Sequence, residues 1–268
     1  MRDALSAQAL AELVEFGEAE AYADLFRAAP SDLGLRVERI GTAVALLAPR
    51  FPIILLNRVI GLGVREPASL ATLETLLALY QQAGIHTFAL QVSPATQPPE
   101  LVDWLQARHL HPRDNWAKVY RRPDTDIMVP TDLRIERIGP RDAAHFARVA
   151  STAFGMPDSL RPWLEQSVGR PGWRHYLAFD GELPVATGAL FMQGATGWLG
   201  AGSTLPSHRR RGAQGALMAQ RIRDAAGDGC VWVVTETGED LPHQPNPSFH
   251  NMLRTGFVLA YRRPNYIR

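Results

Sequence analysis

Three consecutive arginines, Arg209–Arg211, precede a glycine and a helix-type pattern, an arrangement that suits a bound anion. Gly212 has no side chain, so we expect the backbone there to approach a ligand closely. The first amides of the helix beginning near Ala213 have no intrahelical acceptors, and the helix dipole adds positive potential at the same point. A pyrophosphate group would fit above this turn. A basic run alone is more often a solvated helix start, so its context decides.

The elements around the turn support the anion site. Trp198–Leu205 has the pattern of a strand, and small or apolar residues recur at helical spacing from Ala216 to Ala226. A second strand is predicted over Cys230–Glu236, an apolar and β-branched run introduced by Gly227 and Gly229. The predicted unit is strand, anion-binding turn, helix and strand.

This unit resembles the acyl-CoA motif of the GNAT N-acetyltransferase superfamily. The motif is Arg or Gln, two residues, Gly, one residue, then Gly or Ala, and Arg209 and Gly212 match it. Gln214 stands at the last position, where Gly or Ala is usual, and Gly215 follows one position later. Asn246–Phe257 resembles a second GNAT segment, in which an Asn starts a short helix that ends in Gly-Phe. Two such signals in the right order are more specific than either alone.

The resemblance implies direct transfer of an acetyl group from acetyl-CoA to an amine, without a metal. Glu236, which closes the strand beside the motif, is the candidate general base, although a glutamate at a strand end is more often solvated or stabilises a turn. Backbone amides near Ser203–Leu205 are the candidate donors to the pantetheine arm and the thioester. The residues predicted to bind acetyl-CoA are Ser203, Thr204, Leu205, Arg209, Arg210, Arg211, Gly212, Ala213, Gln214, Gly215, Asn246, Ser248 and Asn251.

One residue departs from the family pattern. Many GNAT enzymes have a tyrosine that protonates the leaving thiolate, and Met252 stands at the matching position. A thioether cannot donate a proton. Solvent can protonate a thiolate instead, so the departure weakens the catalytic assignment without removing it.

A faint internal repeat predicts two tandem domains. Lys118-Val-Tyr-Arg-Arg-Pro123 parallels Ala260-Tyr-Arg-Arg-Pro264, with Arg121 and Arg262 141 positions apart. We predict an α/β fold of two GNAT-like domains, each a mixed sheet flanked by helices. Residues 1–125, the first half, include a leading helix over residues 2–29, and residues 131–268 form the second half. The linker is predicted within 123–130.

The first half lacks the anion-binding chemistry of the second. Where the motif would fall it has Glu66, a negative charge that would repel a phosphate, and Ser69, a helix N-cap. The following helix is predicted over Leu70–Gln82, with apolar Ile53–Val64 before it and a strand over Thr87–Val92 after it. We therefore expect acetyl-CoA to bind in the second half alone.

Composition places limits on the protein's class. The 268 residues carry a net charge of +1, which gives no global attraction to nucleic acid or an anionic membrane. Cys230 is the only cysteine, so neither an intrachain disulfide nor a cysteine zinc cluster can form. No signal-type apolar stretch begins the chain, and the cytoplasm is the simplest location. The oligomeric state cannot be predicted from these features.

Two functions of different classes remain open at this stage. The first is an N-acetyltransferase acting on a primary amine of a small molecule, an amino acid or a peptide. The alternative is a non-catalytic acyl-CoA-binding protein with a regulatory or scaffold role, which Met252 favours slightly. The anion-binding turn is required by both.

Overall fold

The computed structural model describes residues 5–268, so the first residues of the predicted leading helix lie outside the described part. Within that part, eleven strands form one mixed sheet. The helices are α1 (Ala7–Arg27), α2 (Leu70–Gln82), α3 (Leu101–Gln106), α4 (Ala143–Phe154), α5 (Arg161–Ser167), α6 (Ala213–Gly227) and α7 (Pro247–Arg254). The strands are β1 (Arg36–Ile40), β2 (Ala43–Leu47), β3 (Arg58–Ile60), β4 (Ala89–Gln91), β5 (His111–Arg121), β6 (Arg134–Ile138), β7 (Trp173–Asp180), β8 (Leu183–Gln193), β9 (Thr196–Thr204), β10 (Trp232–Gly238) and β11 (Val258–Ile267).

The tandem arrangement predicted from the repeat is confirmed. In the first half, α2 lies between parallel strands β3 and β4, and in the second half α6 lies between parallel strands β9 and β10. Leu70 and Ala213, the first residues of α2 and α6, are 143 positions apart, as are Ala89 and Trp232, which open β4 and β10. Each half then continues through a short helix into a long final strand, β5 or β11.

The two halves exchange these final strands. The strand order is β1-β2-β3-β4-β11-β5-β10-β9-β8-β7-β6, so β5 of the first half pairs with β10, and β11 of the second half pairs with β4. β5 and β11 lie antiparallel between them. The halves therefore share one continuous sheet, and the predicted division at residues 125–131 separates them in sequence only.

Helix α1 packs across the junction between the halves. Gly17 brings it so close to β10 that an added Cβ would lie 2.6 Å from Val234 Cγ2. From the second half, the Trp163 indole donates to the carbonyl of Leu25 at 2.8 Å, and the Trp173 indole donates to Asp24 at 2.8 Å. One buried apolar cluster accordingly joins residues of α1, α4, α5 and the strands of both halves.

Several predicted boundaries differ from the structure. Only Arg58–Ile60 of the apolar stretch Ile53–Val64 is a strand, because the Asn57 side chain bonds to the backbone of Ala48 and Phe51 and holds the preceding residues in a turn. β10 begins at Trp232 and not at Cys230, whose amide closes the end of α6 on Ala225. Helix α2 has the predicted bounds and the predicted Ser69 cap. Within residues 5–268, no helix is long and apolar enough to cross a membrane.

Candidate functional site

Strands β9 and β10 diverge at the centre of the second half. Their ladder joins Thr196–Trp198 to Trp232–Val234 and goes no further. Just beyond it, β9 contains a bulge in which Ala201 and Gly202 stand opposite the single residue Gly188. Ala201 has a φ of 49°, a left-handed conformation that turns its peptide out of the regular ladder. The divergence opens a gap between the strands, and the bulge lies next to it.

A cavity of about 820 Å³, the outer cavity, lies between the start of α6 and the start of α7. Among the described residues that line it there is no carboxylate. Eleven of the residues predicted to bind acetyl-CoA line it, namely Ser203, Thr204, Arg209, Arg210, Gly212, Ala213, Gln214, Gly215, Asn246, Ser248 and Asn251.

The outer cavity has three cationic side chains at its wall. Arg209 and Arg210 are exposed, and neither forms an ion pair with any residue in the described part of the chain. Sequence reasoning missed the third, Arg254, which donates to the Asn251 side chain at 3.1 Å. The signal was available, because residues three apart share a helix face and Asn251 was already a predicted site residue.

The start of α6 has the expected geometry, and the packing of the linker also explains why position 212 is a glycine. No side chain caps this helix, and Gly212 precedes it with a φ of 78°. An added Cβ would lie 2.4 Å from the carbonyl oxygen of Pro130, and one on Gly215 would lie 2.7 Å from Val129. The linker between the halves therefore packs against the turn. Gly212 also lines the outer cavity, so its role in letting a ligand approach stays a prediction, and the contact with Pro130 is a second reason for a glycine at this position.

Two predicted site residues lie away from the outer cavity. Arg211 donates to Asp180 at 2.6 Å and also pairs with Asp132, and the Arg211 guanidinium holds the pKa of the Asp180 carboxyl below its usual range. The amide of Leu205 donates to the carbonyl of Val185 at 2.9 Å, so it cannot serve a thioester. Because ladder bonds alternate along an antiparallel pair, the Thr204 amide faces away from β8.

The contacts of the Gln214 side chain explain why a glutamine stands where the family motif has Gly or Ala. Its amide nitrogen donates to the carbonyl of Ser203 at 2.7 Å and to the hydroxyl of Thr204 at 3.1 Å. A glycine or alanine could not make this connection between α6 and the end of β9. The side chain also approaches the bulge, because a Cβ added to Gly202 would lie 2.9 Å from Gln214 Oε1.

Asn246 is held by the protein itself. Its side-chain oxygen accepts from the amides of Ser248 and Phe249 at 2.9 and 3.3 Å and caps α7. Its side-chain nitrogen donates to the carbonyl of Gly238 at 2.7 Å. The predicted helix start at Asn246 is therefore confirmed, and its side chain fixes α7 against the end of β10 at the cavity wall.

A second cavity of about 380 Å³, the inner cavity, adjoins the first, and Gly202, Gln214 and Ser248 line both. Glu236 lies in its wall, with 9% of its side chain exposed. The indole of Trp198 donates to both oxygens of this carboxylate at 3.1 and 3.2 Å, and Lys118 donates to Oε2 at 3.0 Å. Oε1 thus has one donor and keeps acceptor capacity.

Most of the charges around Glu236 come from the first half, and one, Arg263, comes from β11 of the second half. Burial raises the pKa of the Glu236 carboxyl above its usual range, Glu18 on α1 acts in the same direction, and Lys118 on β5 opposes it. Lys118 bridges the two carboxylates, since it also donates to Glu18 at 2.7 Å. Arg58 pairs with Glu18 Oε1 at 2.7 Å, and Arg263 pairs with Oε2, the oxygen that Lys118 also contacts, at 2.8 Å.

Sequence reasoning missed this buried ionic cluster. Its signal was a pair of glutamates, Glu15 and Glu18, three residues apart on the face of α1 that is otherwise apolar. Buried charges are retained when they are paired. The cations that pair with these carboxylates lie on strands distant in sequence, so the sequence alone did not identify them.

Met252, at the position where the family has its acid, lines the inner cavity and is 5% exposed. The imidazole of His250 forms a hydrogen bond with Asp240 at 3.0 Å. In the described residues, no group of three His, Cys, Asp or Glu side chains is placed to hold a metal ion.

Comparison with known proteins gives a consistent fold. No family model and no curated protein matches the sequence. Among solved structures, a GCN5-related N-acetyltransferase from Kribbella flavida is similar over 95% of each chain, with 17% identity and a TM-score of 0.64. A tandem GNAT protein from the clavulanic acid biosynthesis pathway covers 98% of this chain and 96% of its own, with 17% identity and a TM-score of 0.61.

A third structure, a GCN5-related N-acetyltransferase from Sphaerobacter thermophilus, is 14% identical over 84% of this chain and 80% of its own, with a TM-score of 0.62. At these identities the likeness concerns the fold. The chain therefore has the GNAT fold in its tandem form.

Proposed function

We propose that this chain, whose fold is that of tandem GNAT proteins, transfers an acetyl group from acetyl-CoA to a primary amine. The observation that carries the proposal is the junction of the two cavities at the divergence of β9 and β10. A cationic outer cavity, with no carboxylate among the described residues that line it, opens there onto an inner cavity with Glu236 in its wall.

The outer cavity suits the nucleotide end of acetyl-CoA. Amides at the start of α6 and the exposed guanidinium groups of Arg209 and Arg210 would bind its phosphates, with Arg254 as a third cation. The pantetheine arm would then enter the gap between β9 and β10, where the Thr204 amide faces away from β8. The thioester would reach the bulge at Ala201 and Gly202, whose amides can stabilise an oxyanion.

In the inner cavity, the neutral amine nitrogen attacks the thioester carbonyl and the carbon–sulfur bond then breaks. Glu236 Oε1 accepts the proton that the amine loses, directly or through a water molecule. Lys118 and Trp198 are positioning residues, because their bonds to the carboxylate fix its orientation. Met252 transfers no proton, so the CoA thiolate takes its proton from solvent.

The test is Glu236→Gln, which keeps the shape and the bond from Trp198 but removes the base. Turnover should fall about 100-fold or more, with acetyl-CoA affinity unchanged. In the wild type, kcat/KM should rise with pH as the Glu236 carboxyl loses its proton, at a pH above the usual carboxyl range. The variant should retain only the rise that belongs to the amine itself.

Two measurements separate the outcomes: calorimetric binding of acetyl-CoA, and thiol release with a panel of amines. An unchanged pH profile in Glu236→Gln would remove the residue from the mechanism. Binding of one acetyl-CoA per chain without turnover of any amine would instead favour the alternative, an acyl-CoA-binding regulatory or scaffold protein, to which Met252 already points.

A further inference from the structure

Arg221, on α6, is a buried cation that pairs with no carboxylate in the described part of the chain. The residue is 2% exposed and lines the inner cavity. Its Nε donates to the carbonyl of Leu217 at 3.0 Å, and its Nη1 donates to the carbonyls of Ala189 and Gly200 at 3.2 and 3.0 Å. Neutral carbonyls stabilise the guanidinium without cancelling its charge. A buried cation of this kind favours an anion beside it.

One nitrogen of this guanidinium, Nη2, is open to the cavity. Within residues 5–268 it has no hydrogen-bond acceptor, and it is not one of the fully buried polar atoms that lack a partner. Because Arg221 lines the inner cavity, Nη2 faces that space. A Cβ added to Gly202 would lie 3.8 Å from Nη2, and Gly202 lines both cavities. The open nitrogen therefore lies at the junction through which a pantetheine arm would bring its sulfur.

The other titratable groups around Arg221 leave it as the cation of the inner cavity. Among the described lining residues, His175 is the one other basic side chain, and burial lowers its pKa to about 3, so its ring is neutral. Glu236 is the acid of the wall, and burial raises its pKa. Beside Arg221, the Tyr176 hydroxyl donates to Asp224, and burial raises the pKa of Tyr176 above its usual range. Burial lowers the pKa of Arg221 to about 10, so the guanidinium is protonated at neutral pH.

We propose that Arg221 stabilises the CoA thiolate that leaves during acetyl transfer. This inference rests on the proposed function and adds a catalytic residue to the same site. When the tetrahedral intermediate breaks, the electron pair of the carbon–sulfur bond goes to sulfur, and the guanidinium holds the resulting anion without giving up a proton. Solvent protonates the thiolate afterwards. The charge of Arg221 thus assists the departure of sulfur, which Met252, in the wall of the same cavity, cannot assist by donating a proton.

Binding of CoA, which has a free thiol, tests the inference in the wild type. If Arg221 faces the sulfur, the bound thiol has a lower pKa than the free thiol. The affinity for CoA then rises with pH between the two pKa values, by about 10-fold for each unit of lowering. Calorimetric titration between about pH 6 and about pH 9 measures the rise, and the guanidinium stays protonated over that range.

Acetyl-CoA is the matched ligand, because it lacks the thiol and its affinity reports every other group that titrates. We expect CoA to gain about 10-fold or more over acetyl-CoA across the same pH range. Ionisation of Glu236 would oppose a bound thiolate, so it cannot produce this gain. Affinities of CoA and acetyl-CoA that change in parallel with pH would overturn the inference.

Arg221→Gln and Arg221→Lys separate the charge from the packing. The glutamine still donates to backbone carbonyls but is neutral, so its CoA affinity should follow that of acetyl-CoA with pH. Its kcat should fall about 10–100-fold, with acetyl-CoA affinity changed less than about 3-fold. The lysine keeps the charge and should recover most of both losses. Equal losses in the two variants would overturn the assignment. Should neither variant fold, the wild-type comparison decides, because Arg221 is the one protonated cation among the described lining residues.

Arg223→Gln is the control on the same helix. Arg223 donates to the carbonyl of Ile127 at 3.1 Å and is not among the residues that line the two cavities. Its substitution should leave kcat and the pH dependence of CoA binding unchanged. A fall in kcat equal to that of Arg221→Gln would assign the loss to the helix and contradict the role of Arg221.

The CoA titration needs no acceptor, so it separates this inference from the proposed function. A lowered thiol pKa without turnover of any amine would contradict the acetyltransferase and support the cation at the sulfur. Thiol release from acetyl-CoA with an amine, together with parallel affinities of CoA and acetyl-CoA across pH, would support the acetyltransferase and contradict the role of Arg221.

Discussion

The turns before α2 and α6 occupy equivalent positions in the two halves and differ in charge and in capping. Counting back 143 positions, the offset between α2 and α6, places Glu66 at Arg209 and Ser69 at Gly212. The Ser69 hydroxyl accepts from the amide of Thr72 at 3.0 Å, whereas no side chain caps α6. In the first half, a side chain of the turn accepts a hydrogen bond from the start of α2. In the second half, the first amides of α6 are left for a ligand.

The space beside the turn differs as well. In the first half, the loop after β4 fills it: the amide of Gln97 donates to Gly63 at 2.8 Å, and the Thr96 hydroxyl donates to Leu62 at 3.1 Å. An added Cβ on Gly63 would lie 2.5 Å from the Gln97 carbonyl oxygen. In the second half, the corresponding space is the outer cavity. The same layout can thus serve packing in one half and ligand binding in the other.

The largest effect expected from this comparison is on acetyl-CoA affinity. Reversing both Arg209 and Arg210 to glutamate should weaken binding about 100-fold or more, since each removes a charge-assisted bond to phosphate and adds repulsion. Calorimetric titration measures the change, which should shrink at high salt. Undiminished affinity in the double variant would show that the outer cavity is not the phosphate site.

Glu66→Arg is the matched control for that reversal. This variant places a positive charge in the first half, at the position equivalent to Arg209, and leaves the loop that contains Gln97 in place. The stoichiometry should remain one acetyl-CoA per chain. A second binding event in this variant would mean that charge, and not the filled space, distinguishes the halves.

An intermediate effect on stability should separate Gly212 from Ser69. Gly212→Ala forces a side chain into a left-handed conformation and against the Pro130 carbonyl, so we expect a loss of about 2–4 kcal/mol in the free energy of unfolding, together with weaker acetyl-CoA binding. Ser69→Ala removes a cap and should cost about 1 kcal/mol without affecting binding. Denaturant unfolding measures the stability of both variants, and calorimetry measures their acetyl-CoA binding. Equal losses of stability and of binding in the two variants would contradict the predicted difference between the turns.

The smallest effect is expected at Met252. Met252→Leu keeps an apolar side chain of similar volume, and we predict a change in kcat of less than about 3-fold and an unaltered pH profile. Steady-state thiol release across pH is the measurement. A large fall in kcat would mean that Met252 positions the thioester in a way that its chemistry does not suggest.

Much of the second half could be predicted because its signals are local. The strand pattern before Arg209, the helix start at Ala213 and the capping Asn246 all act on neighbouring backbone, so their residue types suffice. The sequence could not show that Arg211 and Leu205, unlike their neighbours in the chain, form bonds within the protein and lie away from the outer cavity. Asp180, at the end of β7, and Val185, on β8, reach these residues only because β7, β8 and β9 pair side by side in the sheet.

By itself, the sequence determined the tandem layout, the position of the basic turn, and Glu236 as the carboxylate that closes the strand beside it. Those features follow from periodicity and from residue types close together in the chain. Only the tertiary structure decided that β5 lies beside β10, which brings Lys118 to Glu236 and Trp116 to the inner cavity. The physical reason is that strand exchange satisfies backbone hydrogen bonds equally well with either half's final strand, so long-range packing and the pairing of buried charges select the partner.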